Sequence, residues 1–295
     1  MTAISSVRHH HLYTALAATL TAILVPGLSA CVASGAPQAV APFADTSTEL
    51  PGLPAGRGLL LFGEQHDQVD HQRQIAAEVS RLAAARRLRA VVMEMADSGR
   101  DTTALPPGAD EARVREALGW VDAGWPWARY APVVMAAVRA GVPVYGGNLP
   151  RAQIRPSMAD VQLDSRVEPG VRQQLGAAVN DGHCGLLPLK QLPAMVRVQI
   201  ARDLSMATTL ARVSGASGKL PASPSADIVV LHAGERHVAR DAGVLLHFAA
   251  VGLDVSQAHV VVFGDSEAVA DERRAAALTP REDECKRLRE KLTGG

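Results

Sequence analysis

Three short, unbroken apolar runs, each ending in a polar cluster, constrain this chain most. Leu59-Leu60-Leu61-Phe62 leads into Gly63-Glu64-Gln65-His66, and Val91-Val92-Met93 leads into Glu94. Ile228-Val229-Val230-Leu231 leads into His232-Ala233-Gly234-Glu235-Arg236-His237. Runs of this length without polar alternation read as strands buried on both faces, as in a parallel sheet. In open α/β sheets the space beyond the strands' carboxyl ends is where ligands bind. The pattern predicts an α/β fold, a mainly parallel central sheet flanked by helices in a single domain. Its carboxyl edge should gather histidines and carboxylates into one polar site.

The stretches between these runs fit that plan. His71, Ile75, Val79 and Leu82 recur at helical spacing, and Arg86-Arg87 suit a helix C-terminus. With its flanking strands this helix predicts a βαβ unit and a parallel pair. Asp110 is placed to cap a helix running to Leu118, and a further helix is expected from Tyr130 to Arg139. Val142 to Tyr145 reads as a third strand ended by Gly146-Gly147-Asn148, and His259 to Phe263 as a last one. Helices are expected over Pro193–Arg212 and Ala239–Ala250, and a loop over Val213–Ala226. The domain is bounded at residues 57 and 270. Residues 271–295 read as a charged C-terminal tail, with a peripheral helix from Arg273 onward. With 30 basic and 30 acidic residues and no basic run, nothing points to a nucleic-acid partner.

The first thirty residues carry a targeting pattern. Arg8 and three histidines precede an apolar stretch from Leu12 to Val25, and small residues follow it. That layout is a secretory signal, too short in its apolar part for a membrane span. Leu28-Ser29-Ala30-Cys31 resembles the lipobox of bacterial lipoproteins, which makes Cys31 the expected lipidation site. Residues 31–56, rich in Ala, Pro, Ser and Thr, read as a tether. No Asp follows Cys31, which leans the expected location to the outer membrane of a bacterial cell envelope. Cys184 and Cys285 are the other cysteines; two do not make a disulfide framework, and no structural disulfide is expected.

Glu64, His66, Glu94 and His237 form the expected polar core. Histidine beside carboxylate suits a divalent metal or general acid–base chemistry. A bland reading competes for each: Glu64 as a helix cap, His66 as a loop residue, Glu94 as the partner of an arginine. A carboxylate directly after an apolar strand needs a partner, a metal or a proton. His232 reads equally as a site residue or a core histidine. Asp203 falls in an apolar helical stripe with Val196, Ile200, Ala207 and Leu210, so it pairs with an arginine or reaches the site. There is no phosphate-binding glycine loop, no zinc-binding His-Glu-x-x-His helix and no nucleophile elbow.

Taken in order, these pieces resemble the ChaN-like haem-binding uptake family, in the wider group of TIKI-type metalloproteases and erythromycin esterases. The resemblance rests on Gly63-Glu64-Gln65-His66-Asp67 with His71, Val92-Met93-Glu94-Met95, Trp125 with Tyr130, and Pro143-Val144 leading to Asn148. His183-Cys184-Gly185, the Met195, Gln199, Arg202-Asp203, Met206-Ala207 helix and Gly234-Glu235-Arg236-His237 complete it. The family implies an envelope lipoprotein that binds haem for iron acquisition. Histidine or tyrosine would supply the iron ligand, so His66, His71, His183, Tyr130 and Tyr145 are the candidates, with His232 nearby. The implied partners are haem, the lipid bilayer through Cys31, a haem-uptake receptor or transporter, and a second copy in a homodimer. The alternative from the wider group is a hydrolase using zinc, manganese or a His/Glu-activated water.

Overall fold

The structure, a computed structural model, describes residues 58–215, 227–280 and 285–286. The signal, the Cys31 lipobox, the tether and most of the loop expected before Ala226 lie outside the described residues. The chain runs β1 (Gly58–Glu64), α1 (Val69–Ala84), β2 (Leu88–Asp97), α2 (Glu111–Leu118), α3 (Trp127–Arg139) and β3 (Val144–Asn148). It continues with α4 (Arg151–Ala159), α5 (Pro169–Gly182), α6 (Leu192–Ser214), β4 (Ile228–Gly234) and α7 (Glu235–Val238). Last come α8 (Phe248–Val251), β5 (Ala258–Phe263) and β6 (Glu272–Arg274).

The six strands form one parallel sheet in the order β3-β2-β4-β1-β5-β6. The unbroken apolar runs have the cause expected of them. Leu60, Phe62, Val91, Met93 and Val230 face α1 and α3, against Ile75, Val79, Leu82 and Val134. Leu59, Leu61, Val92, Val229 and Leu231 face the other way, against Met206, Leu210 and Phe248. Period-two alternation sends neighbouring residues to opposite faces, and both faces are covered. A smaller cluster of Leu163, Val167, Leu175, Val196 and Ile200 joins α5 to α6.

Several expectations are corrected. β1 and β2 do not pair: β4 lies between them, with Phe62 and Met93 both opposite His232. The third strand starts at Val144 and continues through Gly146, Gly147 and Asn148, which do not end it. The helix expected over Ala239–Ala250 is broken. Gly243 has φ +67°, and a Cβ there would lie 2.1 Å from the His237 carbonyl oxygen, so the chain doubles back on α7 before α8 begins.

The tail departs most from its reading. Where a peripheral helix from Arg273 onward is expected, Glu272–Arg274 forms the edge strand β6, paired with β5, and residues 275–280 are not helical; most of the remaining tail lies outside the described residues. Glu272 and Arg274 are half-buried while Arg273 is exposed: the Arg274 guanidinium lies 5.5 Å from the Phe62 ring and 3.6 Å from Glu78. The chain then runs back along the start of α1. Gln74 Nε2 donates to the Ala275 carbonyl, the Ala277 amide donates to Asp70, and the Thr279 amide donates to Gln68 Oε1. Cys285 is bonded to Cys184 across 101 residues, contrary to the expectation of no disulfide. The path of the tail brings their Cα atoms to 5.3 Å, within bonding range.

Candidate functional site

β1, β2 and β4 end side by side, and this places the polar cluster. Glu64 is the last residue of β1 and opposes Gly234 of β4. Glu94 lies in β2, one residue beyond Met93, which opposes His232. The two carboxylates point to opposite faces of the sheet, and each finds its own set of partners.

Glu64 belongs to the α1/α3 face. Its Oε1 accepts from Tyr130 OH at 3.0 Å and lies 2.8 Å from His66 Nδ1. Its Oε2 accepts from Gln72 Nε2 and lies 2.9 Å from His232 Nε2. The His232 contact is an ion-pair distance off the line of a directed hydrogen bond. Burial pushes the Glu64 carboxyl up, but the close approach of His232 and the hydrogen bond and charge of His66 outweigh it and bring it down to about 2. Tyr130 is fully buried, and burial together with Glu64 drives its hydroxyl far above the usual range, so it stays a neutral donor.

Glu94 belongs to the α6/α7 face. Its Oε1 lies 3.2 Å from His237 Nε2, and its Oε2 accepts from the Gly234 amide at 2.8 Å. His237 Nδ1 lies 2.5 Å from Asp203 Oδ1, so the imidazole is held between two carboxylates. Burial alone would lower the His237 pKa; Glu94 and Asp203 overcome it and raise it to about 10. The same pairing holds Glu94 well below the usual carboxylate range despite its burial. Asp203, buried in α6, is pushed up by burial.

His66 spans the two halves. Its Nδ1 meets Glu64, and its Nε2 stands 3.9 Å from Glu94 Oε2. Burial works against its charge, but the Glu64 hydrogen bond and the Glu94 charge raise its pKa. The ring packs edge-on against Trp125 at 4.8 Å, and Arg129 donates to its backbone carbonyl. Gly234 is required beneath it: a Cβ there would come within 2.9 Å of His66 Nε2. His66 has a side chain 38 % exposed, whereas Glu64, Glu94, His232 and His237 are buried. The arrangement is a charged histidine–carboxylate network opening to solvent at one imidazole, suited to taking up or passing a proton.

Beside it lies a cavity of about 670 Å³. One wall is apolar, from Val171, Leu175, Ala178 and Val179 of α5; the other carries Glu235, Arg236 and Asp265. His183 stands at the α5 end of the cavity, and Gln199, which contacts His237, is shared between cavity and network.

The structure thus brings Glu64, His66, Glu94, His237, His232 and Tyr130 together, with Asp203 reaching the site as one of its two sequence readings allowed. His183 sits on the cavity instead. His71 is buried beside the edge, its Nδ1 accepting from the Gln65 amide and its ring stacked on Phe263. Tyr145 stays out of the cluster, packed in the α6-side core with Arg212 over its ring at 5.0 Å. Gln72 and Arg129 give no sign of their role in the sequence, since a polar residue on an amphipathic helix carries no local signal of a buried partner. Among the described residues no group of three or more His, Cys, Asp or Glu is arranged to hold a metal ion. Nor is any described helix long and apolar enough to cross a membrane.

The profile of the family described as haem-binding uptake, Tiki superfamily, ChaN matches residues 55–248. Among solved structures the chain is similar to that of ChaN of Campylobacter jejuni, described as binding haem cofacially. The two are 21 % identical over 72 % of this chain and 83 % of that one, with a TM-score of 0.57, a likeness of fold. The type III effector HopBA1 is 12 % identical over 75 % of this chain and 88 % of that one, with a TM-score of 0.45. An erythromycin esterase, EreC, in its open conformation, is 12 % identical over 83 % and 82 %, with a TM-score of 0.42. No curated protein matches the chain. The profile match runs from the start of β1 to the start of α8 and takes in every residue of the histidine–carboxylate network, so the chain belongs to the haem-binding uptake (ChaN) family of the Tiki superfamily.

Proposed function

We propose that this chain is a lipid-anchored haem-binding protein of the bacterial envelope, holding haem for uptake or handing it to a receptor or transporter. The observation that carries the reading is the cavity beside the network. At about 670 Å³ it is within the size range of cofactor sites, roughly 300–1,000 Å³. Its apolar α5 wall suits a macrocycle face, and Arg236 suits a propionate carboxylate. His183 Nδ1 lies 2.7 Å from the Val179 carbonyl. Donation there leaves the lone pair on Nε2, the tautomer an iron ligand needs. Bound haem would supply iron for storage or transfer; the chain's own residues orient it and shield it from water. Titrating haem into the purified protein should give a saturable, shifted Soret band that His183→Ala weakens. A spectrum matching that of haem with an unrelated lipoprotein would end this reading.

The anchoring belongs to the same proposal. Cys31→Ser should abolish acylation and leave an unprocessed precursor or a soluble protein, and membrane fractionation with lipid mass analysis measures both. The outer membrane is the proposed destination.

A second reading, a His/Glu-activated hydrolase, is favoured by one specific observation. His66 is exposed while bonded to Glu64 and close to Glu94, which is the posture of a general base oriented by a carboxylate. Ester turnover lost in His66→Ala, with no stoichiometric zinc or manganese in the protein, would establish it. Absence of turnover across a panel of simple esters would count against it.

A further inference from the structure

The disulfide ties together two places that flank the same cavity. On one side, Gln68 exchanges hydrogen bonds with Thr279 of the tail, at 2.7 and 3.2 Å. Gln65, three residues before it, lines the cavity. On the other side, Cys184 is bonded to Cys285, and the residue before it, His183, lines the cavity as well. The tail therefore fastens the start of α1 to the end of α5, one fixed by hydrogen bonds and the other by a covalent bond.

α5 needs such a fastening. Of its 14 residues only Leu175 and Gly176 are buried; Leu175, with Val171 and Val179 half-buried beside it, packs in the small cluster apart from both main cores. Segments with few buried contacts open locally at low cost. The turn after α5 is also strained: Cys184 has φ +60°, a conformation few side-chain-bearing residues adopt. Its surroundings must hold it there, and the bond to Cys285 is the strongest restraint at hand.

We propose that the Cys184–Cys285 disulfide is a redox-controlled staple that sets the ligand affinity of the cavity by fixing the His183 end of α5. The inference rests on the haem reading for the identity of the ligand. The chemistry is complete with one co-reactant, a dithiol. Its thiolate attacks one sulfur, the Cys184–Cys285 bond breaks, and both cysteines leave as thiols carrying two electrons and two protons, while the dithiol closes to its own disulfide. In the oxidised state the α5 wall is held against the cavity. In the reduced state it samples open conformations, and the affinity falls by the fraction of time the wall is in place.

The test compares oxidised full-length protein, reduced and alkylated protein, and Cys285→Ser. Amide hydrogen exchange is followed over residues 169–183 without ligand, and haem is titrated into each form. Exchange at 169–183 should speed up in both disulfide-free forms while the β1 and β4 amides stay protected. A wall in place about a tenth of the time would raise the haem dissociation constant about tenfold. Equal exchange at 169–183 in oxidised and reduced protein, or equal haem affinity in the two, would overturn the staple. Failure of the oxidised protein to bind haem would overturn the haem reading alone, because α5 exchange measures the staple with no ligand present.

Discussion

The histidine–carboxylate network and the neighbouring cavity share Gln199 and one edge of the sheet, yet they are built in opposite ways. The network hangs on β1, β2, β4, α6 and α7, and Glu64 and Glu94 are buried with partners on both oxygens. The cavity is walled by α5, a helix with two buried residues, and by loops. The network's carboxylates are mounted on the parallel sheet, and the surface proposed to receive a ligand is mounted on a helix with few buried residues, the kind of element that opens locally at low cost. Changes in the network should therefore be felt as stability, and changes in the cavity as affinity.

The largest effect expected is from Glu94→Ala. It leaves His237 and the Gly234 amide without their buried acceptor, and breaking a buried pair in this way costs about 3–5 kcal/mol. Urea unfolding measures it, and a loss under about 1 kcal/mol would mean that water already reaches the network. Next comes Cys285→Ser. Releasing a 101-residue span from its crosslink should lower unfolding stability by about 2–4 kcal/mol, below the chain-entropy ceiling of about 4.7 kcal/mol. A near-zero change would place the tail outside the cooperative unit.

A graded effect, small within any one pH unit, is expected with pH. His237 is raised from 6.5 to about 10 in the fold, so its contribution is complete below pH 6.5 and is lost as pH rises through about 10. Over that window stability should fall by up to about 1.4 kcal/mol per pH unit, and His237→Gln should flatten the slope. Glu64 runs the other way: brought down from 4.5 to about 2, it contributes above pH 4.5 and loses that contribution as pH falls through about 2. The smallest stability change belongs to the cavity. His183 is exposed, so His183→Ala should alter stability by no more than about 0.5 kcal/mol. It should nonetheless weaken haem binding about tenfold, close to one unit of 1.4 kcal/mol. A larger loss of haem affinity in His66→Ala than in His183→Ala would move the ligand from the cavity to the network and collapse the distinction.

Much of the sheet could be read from the chain because burial on both faces leaves an unmistakable run of Leu, Val and Ile at β1, β2 and β4. Glu64 and Glu94 stood out for the same reason: a carboxylate at the end of such a run has to be paired. Asp203 was visible as an acid inside an apolar stripe, though its partner was not. Strand order left no local trace, which is why β1 and β2 were expected to touch. β6 escaped because Glu272-Arg273-Arg274 has no apolar residue and relies on Phe62 and Glu78 from elsewhere. The disulfide was missed because pairing depends on the path of the tail along α1, set by side chains more than 200 positions away.

The place of β4 in the sheet has a kinetic meaning. β1, α1 and β2 leave the ribosome as consecutive pieces, but the two strands cannot bond to one another, because the strand that joins them is residues 228–234. Nearly the whole domain must be available before its middle can close. Pairings this distant in sequence make folding slow, and they leave the flanking strand edges open while the chain waits. A half-made chain can pair β2 with β3, but β1 stays unpaired until β4 is made. His232 and His237 reach Glu64 and Glu94 only when that centre strand and the turn after it are in place.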